Sequence, residues 1–411
     1  MESYFLENLL IDKLSGLEPK KFALAIKSLK SCYYSHGSSV AEICKALKVS
    51  APNGVALLSE LIDRNLIERK GVGKSKGGRK PELYGVCDDA FRVLSIDMDI
   101  YQTRINVFNA ANEPCSETRT YEIELNNTPN TLELLVDSIE SFIRDAGIDR
   151  KLLIGIGVSM PGLVDARKGI NRTYLHFEGK SLKNILEDRM KLPVFIENDA
   201  KAIALSVWHN GVAKGKKDVL VLFLDWGIGL GMILDGKLYR GASGFAGEFS
   251  HIPIVENGDL CICGKLGCLQ TLGAGTALVK KAKEGLKEGK HSLMVKDASG
   301  NVSLNAIVDA ALRGDQFAIN LFSEIGKNLG KGISILIQLF NPEQIVIGGK
   351  MAEVGQYLTM PIQQAINTYS MSQISDRVTI NLSKFGKDIG LHGALAIVMS
   401  EVFDYIQKNH S

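Results

Sequence analysis

Residues 244–270 read GFAGEFSHIPIVENGDLCICGKLGCLQ. Within them His251, Cys261, Cys263 and Cys268 follow the spacing H-x9-C-x-C-x4-C. One imidazole and three thiolates make the closed four-ligand set that a structural Zn2+ takes, with no position left open for water. Gly264 and Gly267 lie between the last two cysteines, where a tight knuckle needs backbone freedom that residues with a Cβ lack. The simpler alternative is three thiols beside an unrelated histidine, but it leaves Glu248, three residues before His251, without a purpose. A metal freezes the ring and tautomer of its histidine, and a carboxylate beside such a histidine suits hydrogen bonding to sugar hydroxyls.

At 411 residues the chain is long enough for two or three domains. Apolar residues at 45% and charged residues at 23% are ordinary for a soluble globular protein. No stretch approaches the roughly 18 uninterrupted apolar residues of a membrane span. The N-terminus, MESYFLENLLIDK, is acidic and lacks the basic region and cleavage site of a signal peptide. Seven cysteines, three of them crowded together, fit a reducing compartment and a metal better than a disulfide framework. A cytoplasmic protein with no membrane partner is expected.

The net charge of +2 is unevenly spread. Residues 1–85 carry 14 Lys/Arg against 9 Asp/Glu, a net of +5, and the remainder is therefore −3. Between Arg64 and Lys80 seven basic residues face one acid, Glu68. Such a stripe in a small module points to a polyanion, although a charge run alone is more often a solvated face.

Its neighbours decide. Residues 20–35 place Phe22, Ala25, Ile26, Leu29 and Tyr33 on one helical face. Ser39 and Glu42 form a capping-box pattern for a helix burying Val40, Ile43, Cys44 and Leu47. Ser50 then reads as an N-cap with Pro52 in the first turn, for a third helix running to about Asn65 with Val55, Leu58, Leu61 and Ile62 inward. Two short helices across a tight turn read as helix-turn-helix. Residues 66–70 and 83–86 read as a hairpin whose Gly- and Lys-rich tip forms a wing, suited to an A·T-rich minor groove. Asn53 is the expected base reader and Ser59 and Arg64 the expected phosphate partners, with Lys74, Lys76, Arg79 and Lys80 on the wing.

From Phe91 the pattern turns to strands. VLSIDMD, TRINVFN and PCSETRTYEIEL predict a β-meander, followed by a helix over about 131–146. LLIGIGVSMPGLVD predicts a buried strand entering a Gly-Pro turn, and KLPVFIENDAKAIAL a strand running into a helix near Asp199. DVLVLFLDWGIGLGMILDGKLYRG starts a second meander of the same kind, and LIQLFNPEQIVIGGKM reads helix, turn and strand.

GE-x2-H followed by C-x-C-G-x2-GC resembles the signature of the ROK family, the repressors, open reading frames and sugar kinases built on an actin-like ATPase fold. The likeness runs through most of residues 89–400, including GKDIGLHGALAIVM, and a winged helix joined in this way resembles the repressor branch. The family's kinases take a proton from the sugar with the aspartate of an E-N-D-A segment. Here the resemblance implies Asp199 as that base position, with Asn198, Gly162, Glu248 and His251 as sugar ligands. A carboxylate opening a helix after a strand can accept hydrogen bonds from hydroxyls whether or not it takes the proton.

Three departures stand out. Where the family's zinc segment ends C-L-E, this chain has Gln270, which both donates and accepts in the sugar site. Lys201 replaces a common asparagine, and either favours an acidic or phosphorylated sugar or points to solvent. The kinases cradle ATP phosphates with a hairpin reading D-x-G-G-T; here it reads Asp97-Met98-Asp99-Ile100-Tyr101, without glycines and with an added carboxylate. The second loop, Gly227-Ile228-Gly229-Leu230-Gly231, keeps its glycines, but Asp225 and Trp226 precede it.

The expected protein is an α/β chain with a winged helix-turn-helix over 1–88 and a two-lobed actin-like ROK domain with structural zinc. Lobe 1 spans 89–212 and lobe 2 spans 213–411, with the C-terminal helix packing back on lobe 1. The expected function is a sugar-responsive repressor, a homodimer or homotetramer that operator DNA holds and a sugar or sugar phosphate releases. The sugar would close the lobes and change the spacing of paired winged helices. No catalytic residue is expected, Asp199 being vestigial. The alternatives are an ATP-dependent sugar kinase with an appended DNA-binding domain, and a constitutive DNA-binding protein.

Overall fold

The computed structural model describes Phe5, Leu9 and residues 19–35, 37–73, 80–177, 179–383 and 386–410. Chain contacts divide it into two units, Met1–Asn198 with Gly390–Ser411, and Asp199–Ile389.

The first unit opens with α1 (Pro19–Ser35), which buries Phe22, Ala25, Ile26, Leu29 and Tyr33 as their spacing predicts. Ser39 caps α2 (Val40–Leu47) in a full capping box. Its hydroxyl accepts from the Glu42 N–H at 3.3 Å, and the Glu42 carboxylate accepts from the Ser39 N–H at 2.9 Å. Ser50 holds the N-cap position of α3 (Ala51–Asp63) by backbone shape alone, without a side-chain hydrogen bond. The two helices meet at Gly54, where an added Cβ would lie 2.2 Å from the Cys44 sulfur.

One expectation fails on α3. Leu58 and Leu61 are buried as expected and Ile62 is half-buried, but Val55 is 53% exposed, because Gly54 and Leu57 complete the inward stripe in its place. β1 (Ser38–Ser39), just before α2, joins β2 (Ile67–Val72) and β3 (Glu82–Val86), which follow α3, in an antiparallel sheet of order β1-β3-β2. The hairpin bulges between Arg69 and Gly71, the latter at φ +101°.

Beyond it lie β4 (Arg92–Met98), β5 (Gln102–Asn109), β6 (Arg119–Glu122), α4 (Pro129–Asp145), β7 (Leu153–Met160), a small hairpin of β8 (Val164–Asp165) and β9 (Ile170–Asn171), α5 (Leu182–Met190) and β10 (Val194–Asn198). The main sheet has the order β10-β7-β4-β5-β6, with β7 parallel to both β4 and β10. The C-terminal helix (Ile389–His410) covers this sheet from Gly390 on, burying Leu391, Leu395, Val398 and Val402. Gly157 permits that approach, since a Cβ there would sit 2.0 Å from the Ala394 carbonyl oxygen. By length and composition this helix alone among the described residues could cross a membrane, but most of it is buried inside the protein. Lys30 pairs with Asp404 at 2.8 Å and the Tyr34 hydroxyl donates to the Met399 carbonyl at 2.8 Å, tying α1 to the same helix.

The second unit begins with α6 (Asp199–Asn210), followed by β11 (Val219–Leu224), β12 (Ile228–Leu234), β13 (Lys237–Leu238), α7 (Gln270–Gly273), α8 (Gly275–Lys287), α9 (Leu304–Leu312), α10 (Gln316–Phe340), β14 (Gln344–Gly348), α11 (Gln356–Tyr369), α12 (Ser372–Ser375) and β15 (Thr379–Leu382). Its sheet runs β13-β12-β11-β14-β15, the same plan of an antiparallel meander extended by two parallel strands. That repetition is what the sequence pattern anticipated. The contact boundary lies at Asn198/Asp199, so α6 belongs with the second unit although the sequence reading placed it in lobe 1. Packing is the reason: Gly229 and Gly231 face α6, and a Cβ on either would come within 2.5 Å and 2.3 Å of the Ala200 and Ala204 methyls. These glycines therefore have a structural cause independent of any phosphate. A core of Leu222, Phe249, Leu269, Leu278, Phe322, Leu329 and Ile333 holds the helices to this sheet.

Candidate functional site

The metal segment folds back on itself in a short ladder. Ile254 N–H donates to the Gly267 carbonyl at 2.9 Å, Leu269 N–H to Ile252 at 3.0 Å, and Cys261 N–H to Lys265 at 2.8 Å. Gly267 sits at φ +70°, and a Cβ there would lie 1.8 Å from the Val255 carbonyl oxygen, so both backbone shape and space demand glycine. Gly264, at φ +81°, turns the chain between Cys263 and Cys268.

The ladder brings the ligand atoms of His251, Cys261, Cys263 and Cys268 within 4.8 Å of one another. The His251 Nδ1 lies 3.4 Å from the Cys261 Sγ, and the Cys263 and Cys268 sulfurs are 3.6 Å apart. Tetrahedral Zn2+ with bonds of about 2.3 Å to sulfur and about 2.0 Å to nitrogen separates its ligands by about 3.5–3.8 Å. The donor set and its spacing fit that ion. Burial pushes the Cys268 thiol up to about 12, while the Lys265 N–H beside Cys263 draws its thiol below the ordinary value. With Nδ1 turned to the thiols, Nε2 is the atom His251 can offer elsewhere.

Of the other residues expected at the site, the second unit carries Asp199, Glu248 and Gln270. His251 N–H donates to the Glu248 carbonyl at 3.1 Å. Glu248 is exposed but flanked by protein: desolvation raises its carboxyl pKa, and Lys201 and His251 oppose that rise while Asp199 adds to it. Asp199 opens α6 and accepts the Ala200 N–H at 2.8 Å. Gln270 opens α7 and turns its amide oxygen to the Ile228 N–H at 3.3 Å, bracing the metal segment on the second Gly-rich loop. Lys201 does not point to solvent. It is 3% exposed, and its ammonium donates to the Gly244 carbonyl at 2.6 Å.

In the first unit Gly162 and Asn198 meet directly, the Asn198 amide donating to the Gly162 carbonyl at 3.3 Å. Asn171, which the sequence reading passed over, organises this turn. It is buried, donates to the Pro161 carbonyl at 2.8 Å and accepts from the Thr173 and Tyr174 N–H groups at 2.9 and 3.1 Å. Its only sequence signal is that asparagine favours turns.

The first hairpin is closed by its own side chain. One Asp99 carboxylate oxygen accepts both the Tyr101 and Gln102 N–H groups at 2.7 Å. Asp97 lies against Gly390 at the start of the C-terminal helix, where a Cβ would be 2.1 Å from its carboxylate. In the second loop Asp225 accepts the Trp226 N–H at 2.9 Å and the Lys350 N–H at 3.4 Å, and burial raises its pKa.

In the N-terminal module Asn53 and Ser59 are exposed on α3, and Lys80 is exposed at the hairpin. Arg64, expected on a phosphate, turns inward instead. At 13% side-chain exposure it pairs with Glu60 at 2.6 Å and donates to the Leu9 carbonyl at 3.3 Å, because the end of α3 is packed on the protein. Lys74, Lys76 and Arg79 lie outside the described residues.

The family model described as the ROK family matches residues 93–401. The chain belongs to the ROK family. A xylose repressor of Caldicellulosiruptor bescii is 30% identical over 367 residues, covering 89% of this chain and 92% of its own length. A glucokinase of Halalkalibacterium halodurans is 33% identical over 264 residues, covering 63% of this chain and 80% of its own. A solved ROK family transcriptional regulator, described as a homologue of the E. coli MLC protein, matches with a TM-score of 0.81 at 27% identity, covering 95% of this chain and 99% of that one. Residues 93–401 thus form an actin-like α/β domain of the ROK sugar-kinase type. The matches to the xylose repressor and the regulator are too long to end there, and extend into the N-terminal module.

Proposed function

We propose that this ROK protein is a sugar-responsive transcriptional repressor, cytoplasmic and dimeric or tetrameric, that binds operator DNA through residues 1–88 and releases it when a sugar binds. The observation that carries this is the outward face of α3. Asn53, Val55 and Ser59 are exposed on the helix that precedes the hairpin carrying Lys80, while Gly54, Leu57, Leu58 and Leu61 face inward. We read α2, α3 and the β2–β3 hairpin as a winged helix-turn-helix with α3 entering the major groove. Asn53 would read a base edge, Val55 would meet a thymine methyl, and Ser59 and the wing residues Lys74, Lys76, Arg79 and Lys80 would hold the backbone.

The sugar is assigned to Gly162, Asn198, Asp199, Glu248, His251 and Gln270. His251, Cys261, Cys263 and Cys268 would hold a structural Zn2+, which supplies rigidity and no open coordination position. Fixing Nδ1 to the metal orients Nε2 toward a hydroxyl, and the Gln270 amide nitrogen remains to donate while its oxygen holds Ile228.

The second reading, a sugar kinase, is favoured by Asp199 at the base position and by the likeness to the glucokinase. Against it stands Asp99. The two amides it occupies are the groups a kinase hairpin would turn to phosphate, and its carboxylate repels a triphosphate. The test is fluorescence anisotropy of the purified protein on DNA from its own promoter region, at stated salt, with sugars titrated in the absence of ATP. Release by a sugar establishes the repressor. Tight binding that no sugar disturbs leaves a constitutive DNA-binding protein, and absent DNA binding with sugar-dependent ADP release leaves the kinase.

A further inference from the structure

Of the seven cysteines, Cys263 alone is exposed; Cys32, Cys44, Cys261 and Cys268 are buried, and Cys87 and Cys115 are half-buried. The metal cluster therefore presents one of its four donor residues to solvent. Its neighbours in the chain do not shield it. Ile262 is 92% exposed, and Gly264 has nothing within 4 Å of where a Cβ would lie.

The Cys263 sulfur lies 3.6 Å from that of Cys268, whereas the Cys261 sulfur lies 3.4 Å from the His251 Nδ1. A disulfide brings its sulfurs to about 2.05 Å. Gly264 and Gly267, both at positive φ, separate Cys263 from Cys268, and the open space at Gly264 gives this turn room to close the gap. An accessible sulfur beside a second cysteine that can resolve it is the arrangement on which oxidation is selective.

The chemistry balances with a hydroperoxide as oxidant. The Cys263 thiolate attacks one peroxide oxygen, the O–O bond breaks, and hydroxide leaves a sulfenic acid on Cys263. The Cys268 thiolate then attacks that sulfur, the S–O bond breaks, and a second hydroxide leaves. Two sulfurs have given one electron each, and two protons from solvent convert both hydroxides to water. The loss reaches the neighbouring strand, because the Cys268 thiol donates to the His251 carbonyl at 3.4 Å and the next N–H, of Leu269, to Ile252 at 3.0 Å. His251 and Cys261 alone are too few donors for a closed zinc site.

We infer that Cys263 and Cys268 are a peroxide-sensitive pair whose disulfide frees the metal and unlocks the His251 segment. Resting on the repressor reading above, the oxidised protein holds operator DNA but no longer answers the sugar. Residues 1–88 belong to the first unit, whereas all four donors belong to the second.

The test treats the full-length zinc-loaded protein with hydrogen peroxide. Disulfides are read by peptide mass mapping, zinc by a chromogenic chelator, and sugar-driven release of promoter DNA by anisotropy at fixed salt. One Cys263–Cys268 bridge should form as fast as zinc appears, with DNA affinity unchanged and about tenfold or more sugar needed for release. Dithiothreitol and zinc should restore the starting state. Cys263→His, which keeps a zinc donor without a thiol, should retain zinc and sugar response in peroxide; should that variant not fold, the wild-type bridge and zinc still decide. Zinc retained with every thiol open to alkylation, or a bridge through Cys261 instead, overturns the pair. A Cys263–Cys268 bridge with intact sugar response overturns its regulatory consequence. If the reduced protein ignores every sugar, the repressor reading falls, and the bridge and zinc readouts still settle the modification.

Discussion

The amide oxygen of Gln270 accepts the backbone N–H of Ile228 at 3.3 Å, joining the residue that follows the last metal ligands to the hairpin of β11 and β12. Residue 270 therefore braces the metal-segment side of the unit on the start of β12.

Gln270→Ala should cost about 1 kcal/mol of stability, because it strands a partly buried N–H that Gln270 now satisfies. Gln270→Glu keeps an acceptor at that place and should unfold within a degree or two of the wild type, while adding a third carboxylate near the sugar ligands. Paired thermal melts of the two variants check this; equal losses would mean that the Ile228 contact contributes nothing.

Gly267 is the backbone pivot of the metal knuckle. Gly267→Ala must accommodate a Cβ 1.8 Å from the Val255 carbonyl at a φ of +70°. About 2 kcal/mol or more of destabilisation is expected, together with faster zinc loss to a chromogenic chelator. Gly264→Ala has the same backbone strain but nothing within 4 Å, so it should lose less. If the order of the two variants were reversed, the close contact at Gly267 would not be what shapes the knuckle.

Asp99→Ala removes the acceptor for two hairpin amides and should lower stability by about 1 kcal/mol, whereas Asp99→Asn, which retains a side-chain oxygen, should keep most of it. Calorimetric titration with Mg-ATP should give no saturable heat for the wild type. Tight ATP binding to the unmodified protein would show that the self-closed hairpin opens for phosphate after all.

Arg64 and Lys80 separate packing from DNA contact. Arg64→Ala loses a largely buried ion pair with Glu60 and the contact to the Leu9 carbonyl, so its melting temperature should fall while the salt dependence of DNA binding stays. Lys80→Ala should leave the melting temperature alone and reduce the slope of log K against log salt by about 1. A slope change at Arg64 instead would place that side chain on the backbone of the DNA.

Much was legible from local pattern. The cluster of His251 with three cysteines showed in spacing alone, since four donors within eighteen residues need only a tight knuckle and two glycines to converge. The capping box at Ser39 followed from the Ser-x-x-Glu spacing, and the inward face of α1 and the repeated meander of strands from periods of 3.6 and 2. What those periods could not supply was the direction and partner of single side chains. Val55 faces out because Gly54 is what α2 presses against, and Arg64 turns in because Leu9, far back in the chain, offers a carbonyl. Lys201 is buried because Gly244, 43 positions on, comes to rest over its ammonium. Each of these depends on which distant segment packs beside the residue, a long-range contact that local periodicity does not encode. Fold and the His/Cys cluster thus follow from the order of residues, whereas the placement of the charges around the proposed sugar site arises only when the segments are brought together.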